Sequence, residues 1–185
     1  NIDSTTVNGT DTAGIDITGV NGPAAVNVTN NDLTENTNGL QLSGASANAQ
    51  VNVHFNTFEA NTDGADVQDP SADVTYNLTF NDFVENDENG LNVASLSGNA
   101  FVNANYSWWG DTTGPNSTNF NVEGYGNGDN VTTSAEGDAT VFPFLQQSVS
   151  EFSDAERAGE VGVIVEDPSF PQSNENANVT VTVLN

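Results

Sequence analysis

Between residues 26 and 110 apolar and polar positions alternate in short bursts, and the bursts recur. Val26-Asn27-Val28 returns as Val51-Asn52-Val53, as Tyr76-Asn77-Leu78 and as Ala100-Phe101-Val102. Three positions after each burst stands an asparagine: Asn31, Asn56, Asn81 and Asn105. Leu33, Phe58 and Phe83 follow the first three of these, then Asn36, Asn61 and Asn86. Each of those units closes on a glycine-led alternation: Gly39-Leu40-Gln41-Leu42, Gly64-Ala65-Asp66-Val67 or Gly90-Leu91-Asn92-Val93. The asparagine steps are 25, 25 and 24 residues, and Gly14-Ile15-Asp16-Ile17 lies 25 before Gly39, giving five registered units. Alternation with period two predicts strands. A fixed period of this length predicts a stacked repeat architecture.

Each unit carries three such alternations, too short to bury a core alone, with no helix-forming run between them. The pattern predicts an all-β chain folded as a right-handed parallel β-helix of about five coils, one coil per unit, stacked at about 4.8 Å. Inward positions then form ladders: Val28, Val53, Leu78, Val102; Leu33, Phe58, Phe83; and Leu42, Val67, Val93. Asn31, Asn56 and Asn81 are placed to bond side-chain amide to neighbouring backbone along the axis. The repeated Asn and Gly are expected at corners needing left-handed backbone. A leucine-rich horseshoe shares the repeat length. It needs several leucines per repeat, whereas these inward positions mix Val, Phe, Leu and Ala.

The stretch after the repeats is the most distinctive. Asn105-Tyr106-Ser107-Trp108-Trp109-Gly110, Thr113-Gly114-Pro115-Asn116, Gly137-Asp138 and Val141-Phe142-Pro143-Phe144-Leu145 together resemble the terminal segment of pectate-lyase-like parallel β-helices, especially those of archaeal surface proteins. The resemblance covers residues 1–146 and implies the fold, not an activity. Residues 111–140, rich in Gly, Asn, Thr and Asp, read as loops folding over the last coil. Trp108, Trp109, Phe120, Phe142 and Phe144 are the expected aromatic cap, because a solenoid end must be covered.

Residues 147–185 read as a linker with trailing strands. Gln146–Gly159 is expected to make a short helical turn, with Ser153 and Glu156 at capping-box spacing. Val161–Val165 reads as a strand, and Pro168 and Pro171 mark a linker. The last alternation places Val179, Val181 and Val183 on one face of a strand, expected either to be donated to another copy or to open a further β domain. Asn1-Ile2 falls near the register of Asn27-Val28, so the chain is expected to enter mid-coil. It opens on Asn rather than Met, shows no signal peptide or membrane span, and reads as a mature chain or a fragment.

Charge changes the picture. There are 26 acidic residues, one Arg (Arg157) and no Lys, giving a formal charge of −25. Such self-repulsion opposes a compact state in dilute buffer. At molar salt the screening length falls to about 3 Å, so the composition, similar to that of haloarchaeal proteins, predicts a salt-rich habitat. Nucleic acid and anionic membranes are excluded as partners for want of a basic patch. Cysteine is absent. Seven Asn-X-Ser/Thr sequons, at Asn8, Asn27, Asn77, Asn105, Asn116, Asn130 and Asn178, favour an extracellular or cell-surface glycoprotein.

No catalytic set emerges. A lyase of the resembled kind needs a basic residue, and Arg157 lies outside the coils. Asp66, Asp69 and Asp73 are close in sequence, as hydrolase carboxylates would be, but read as a solvated acidic face. His54, the sole His, lacks a partner for a transition metal and is expected to point outward between inward Val53 and Phe55. Asp63, Asp66, Asp87 and Glu88 could hold Na⁺ or Ca²⁺ loosely through oxygen; no cofactor is expected. The reading is a non-enzymatic structural protein whose copies join end to end. The alternative is a carbohydrate-binding or polysaccharide-processing module, for which a row of exposed aromatics on one coil face would speak.

Overall fold

The structure is a computed structural model describing residues 1–46, 48–68, 74–96, 100–117, 126–134 and 138–151. Within them the chain is a parallel β-solenoid. The first coil is β1 (Ile2–Asp3), β2 (Thr6–Asn8) and β3 (Ala13–Thr18). The second is β4 (Ala25–Thr29), β5 (Asp32–Thr34) and β6 (Asn38–Ser43). The third is β7 (Gln50–His54), β8 (Thr57–Glu59) and β9 (Asp63–Gln68), and the fourth β10 (Thr75–Asn77), β11 (Asp82–Val84) and β12 (Asn89–Ala94). Four shorter or later strands follow: β13 (Phe101–Asn103), β14 (Pro115–Asn116), β15 (Gly128–Thr133) and β16 (Ala139–Thr140). They stack into three sheets, ordered β1-β4-β7-β10-β13-β16, β2-β5-β8-β11 and β3-β6-β9-β12-β15-β14.

The coil count is four complete turns rather than five. The fifth unit enters the first sheet through β13, but its middle strand is reduced to one bridge, Asp82 to Trp108. Its third strand, β15, comes only after residues 111–127. Residues 111–140, expected as loops, thus contribute β15 beside β12 and β16 beside β13. The signal was faint because β15 has a single inward aliphatic, Val131, amid Gly, Asp, Asn and Thr.

The register of the fifth unit also differs. Val102 pairs with Tyr76, a step of 26, so it extends the Val26–Val51–Tyr76 row. Ala104, fully buried, takes the row of Val28, Val53 and Leu78 instead. The same slip moves the asparagine ladder: Ser107, not Asn105, caps it, its hydroxyl accepting from the Asn81 N–H at 3.3 Å. The Leu33–Phe58–Phe83 and Leu42–Val67–Val93 ladders stand as expected, and Trp109 continues the former, its ring stacked on Phe83 at 4.6 Å.

The corners follow a rule that the repeats did not reveal. Left-handed backbone falls on the residue before each ladder asparagine, not on the asparagine. One column is Ser4, Asn30, Phe55, Phe80 and Tyr106; another is Gly9, Glu35, Ala60, Glu85 and Gly110. Phe55 is therefore a corner residue, not an inward one. The repeated Gly39 and Gly64 lie inside strands and serve close approach. A Cβ on Gly39 would meet the Gly64 carbonyl at 2.6 Å and the Phe58 ring at 2.8 Å.

Candidate binding groove at the aromatic corner

Phe55, Phe80 and Tyr106 form a second, outer aromatic column. Their rings stack at 5.7 Å (Phe55 on Phe80) and 5.4 Å (Phe80 on Tyr106), and all three are half-buried. A bulky side chain with φ near 58°, as each of these has, is a rare and strained choice; Asn30 in the same column is an ordinary one. Stacking and a covering strap hold the rings there. The strap is residues 145–151, ending in a 3-10 turn over Val149–Glu151. Leu145 and Val149 pack on Phe55, Phe80 and Trp108.

Buried Asp82 anchors the strap. Its carboxylate accepts the N–H of Val149 at 2.6 Å, the N–H of Ser150 at 3.2 Å and the Ser148 hydroxyl at 2.5 Å. Beyond the strap the aromatic column ends at Phe55, and a groove of about 180 Å³ opens there. Asn30, Asn31, Asp32, Phe55, Asn56, Thr57, Asp82, Val149 and Ser150 line it. Asn31 and Asn56 are committed to the buried ladder, and Asp82 to the strap. The polar rim is Asn30, whose amide also donates to Asp3, with Asp32, Thr57 and Ser150, whose hydroxyl also bonds Ser148; Phe55 is the aromatic residue of the lining.

The other sequence-predicted residues are dispersed. Asn8 is exposed, its amide donating to the Thr34 hydroxyl at 2.9 Å. Asn27 and Asn77 are half-buried in an outer amide row, donating to Asn1 at 3.0 Å and Asn52 at 3.2 Å. Asn130 donates to Asn89 at 2.6 Å, Asn105 is half-buried, and Asn116 is exposed in β14. Trp109 is buried within the ladder, whereas Trp108 is half-buried beside the strap. Phe142 and Phe144 pack at the fifth-unit end, 5.6 Å apart. Phe120, Gly137, Ser153, Glu156, Arg157, Asn178, Val179, Val181 and Val183, and with them the expected strand over residues 161–165, lie outside the described residues, as do Asp69 and Asp73.

Asp66 is 3 % exposed on β9. Burial raises its carboxyl above the usual carboxylate range, opposed by a bond from the Gln68 amide, while Asp63 nearby adds to the rise. Asn92 and Asn38 also donate to it, at 3.1 and 3.4 Å. Asp66 is thus buried and amide-bonded rather than part of the solvated acidic face expected from the sequence. His54 points outward, its Nδ1 within 2.8 Å of the Thr79 hydroxyl. Among the described residues no three His, Cys, Asp or Glu side chains converge on a metal position.

Nothing in the alternation of apolar and polar positions marks Phe55 and Phe80 as members of a column. The signal that could have found the column is their 25-residue spacing directly before Asn56 and Asn81, continued by Tyr106 before Ser107. Comparison with protein-family models, with curated proteins and with solved structures finds no match.

Proposed function

We propose that the chain is a non-enzymatic structural module of a cell exterior in a salt-rich habitat, a surface or filament building block related to pectate-lyase-like haloarchaeal solenoids. The observation that best supports this is the pair of buried amide ladders running along the stack. One climbs from Thr5 through Asn31, Asn56 and Asn81 to Ser107. The other climbs from Thr10 through Asn36, Asn61 and Asn86 to Asp129. They tie every coil to its neighbours, as a stiff spacer requires. Exposed Asn8 and Asn116 are the sequons best placed to carry glycans at the surface.

Copies meeting end to end, with glycans as further partners, complete the reading. The segment bearing Val179, Val181 and Val183, expected from its alternation to be a strand, is the proposed connector, because adding a strand to an open edge satisfies both sets of backbone groups. Electron microscopy in molar NaCl tests it: fibres or lattices are expected, and they should be lost when residues 178–185 are deleted. Dispersed monomers, or cleavage of a polysaccharide by the purified chain, would count against it. A second reading, carbohydrate binding, is favoured by the groove beside Phe55.

A further inference from the structure

We propose that this groove is a subsite for one neutral pyranose unit, packed against Phe55. The inference rests on the carbohydrate-binding reading of this groove and is independent of the structural role, since a spacer needs no such site. Phe80 covers one face of the Phe55 ring at 5.7 Å. The next residue down the column is Asn30, which lines the groove together with Phe55, while Leu145 and Val149 of the strap pack against Phe55. Strain makes the choice of Phe informative: the same corner one coil earlier is an asparagine, which adopts φ of 55° readily. Strained residues persist where the surroundings enforce them, and they cluster at ligand sites.

The chemistry selects the ligand. One aromatic face with a polar rim suits a ring that is apolar on one side and hydroxylated at its edge. Asp32 and the Thr57 and Ser150 hydroxyls can accept from sugar hydroxyls, and Asn30 can donate. A groove of about 180 Å³ admits about one sugar ring. Acidic sugars are disfavoured by Asp32 and by the formal charge of −25. A quaternary ammonium ion would want several ring faces around it, and this groove has one.

Saturation-transfer NMR in 3 M NaCl tests the site with methyl gluco-, galacto- and mannopyranoside, sodium galacturonate and tetramethylammonium chloride. At least one neutral pyranoside should receive saturation from Phe protons with millimolar affinity, and galacturonate should not. F55N restores the residue type of the preceding corner, relieving the strained backbone while losing the packing on Phe80 and the strap, and should bind at least about tenfold more weakly. T57A and D32N, both outward-facing, should weaken binding while leaving the melting temperature unchanged, and they carry the test if F55N does not fold. Absence of neutral-sugar binding, equal binding by these variants, or preference for galacturonate or the ammonium ion overturns the proposal.

Discussion

Asn56 serves two coils at once. Its Oδ1 accepts the Asn31 backbone N–H at 3.0 Å and the Asn31 amide at 2.9 Å, while its Nδ2 reaches the Val28 carbonyl at 3.0 Å. It is 1 % exposed, so no water substitutes. Asn56→Ala leaves the buried Asn31 N–H without its acceptor, and an orphaned group of this kind costs about 1–3 kcal/mol. Asn52 makes a similar coil-to-coil amide bond at 3.0 Å on the half-exposed face. Asn52→Ala should cost within about 0.5 kcal/mol of nothing. Denaturant melts of the pair check the contrast, and equal losses would mean the ladder is ornamental. At the far end of the other ladder stands Asp129, whose carboxylate accepts the Asn86 N–H at 3.1 Å and its amide at 2.6 Å. Burial raises its pKa, opposed chiefly by those Asn86 bonds. With the folded value above the unfolded one, its contribution is fully present below the ordinary carboxyl value of 3.8 and is lost as pH rises through the raised folded value. Asp129→Asn should therefore gain on the parent as pH rises, and melting temperatures recorded from acid to neutral pH should diverge upward. The inner asparagines were legible because they recur every 25 residues; their terminators were not, since Ser107 and Asp129 share neither residue type nor spacing with them.

At the scale of the element, the middle sheet is narrow but carries the bulkiest ladder. Leu33, Phe58, Phe83 and Trp109 are all fully buried, and Phe58 stacks on Phe83 at 5.1 Å with planes 12° apart. Gly39 allows Phe58 its place, since a side chain there would strike the ring. Phe58→Ala removes a ring from mid-stack, where the rigid coils above and below collapse little, so the cost should be about 3–5 kcal/mol. A loss under about 1 kcal/mol by chemical denaturation would contradict this burial. The strands of this sheet could be read from the Leu/Phe spacing and the three ladders from period-two alternation. The strap could not. Val149 reaches Asp82 across 67 positions, and nothing local to either residue marks the pairing. The groove depends on that strap for two of its walls, Val149 and Ser150, so it too was hidden from the sequence.

The whole molecule carries a formal charge of −25 with a single Arg to set against it. Its single Arg, Arg157, lies outside the described residues, which therefore contain neither Lys nor Arg. Amides and hydroxyls stand in their place. Asp3 accepts the Asn30 amide at 3.0 Å and the Thr29 hydroxyl at 2.7 Å, which hold its carboxyl below the usual range. The Thr113 hydroxyl and N–H do the same for Asp111. Such neutral partners anchor individual carboxylates but leave the net repulsion of −25 charges intact. Coils repeat about every 4.8 Å, while the screening length is about 10 Å at 0.1 M salt and about 3 Å at 1 M. At the lower salt a carboxylate thus acts on the two coils to either side; at the higher it barely reaches the next. The melting temperature should climb steeply between about 0.1 and 1 M NaCl and flatten beyond, because screening is nearly complete once its length drops below one coil. Sucrose, which favours burial without screening, should give a smaller gain at equal osmolality. If sucrose matched NaCl, surface exclusion rather than charge would account for the effect; a flat NaCl series would mean that the acids do not oppose the fold.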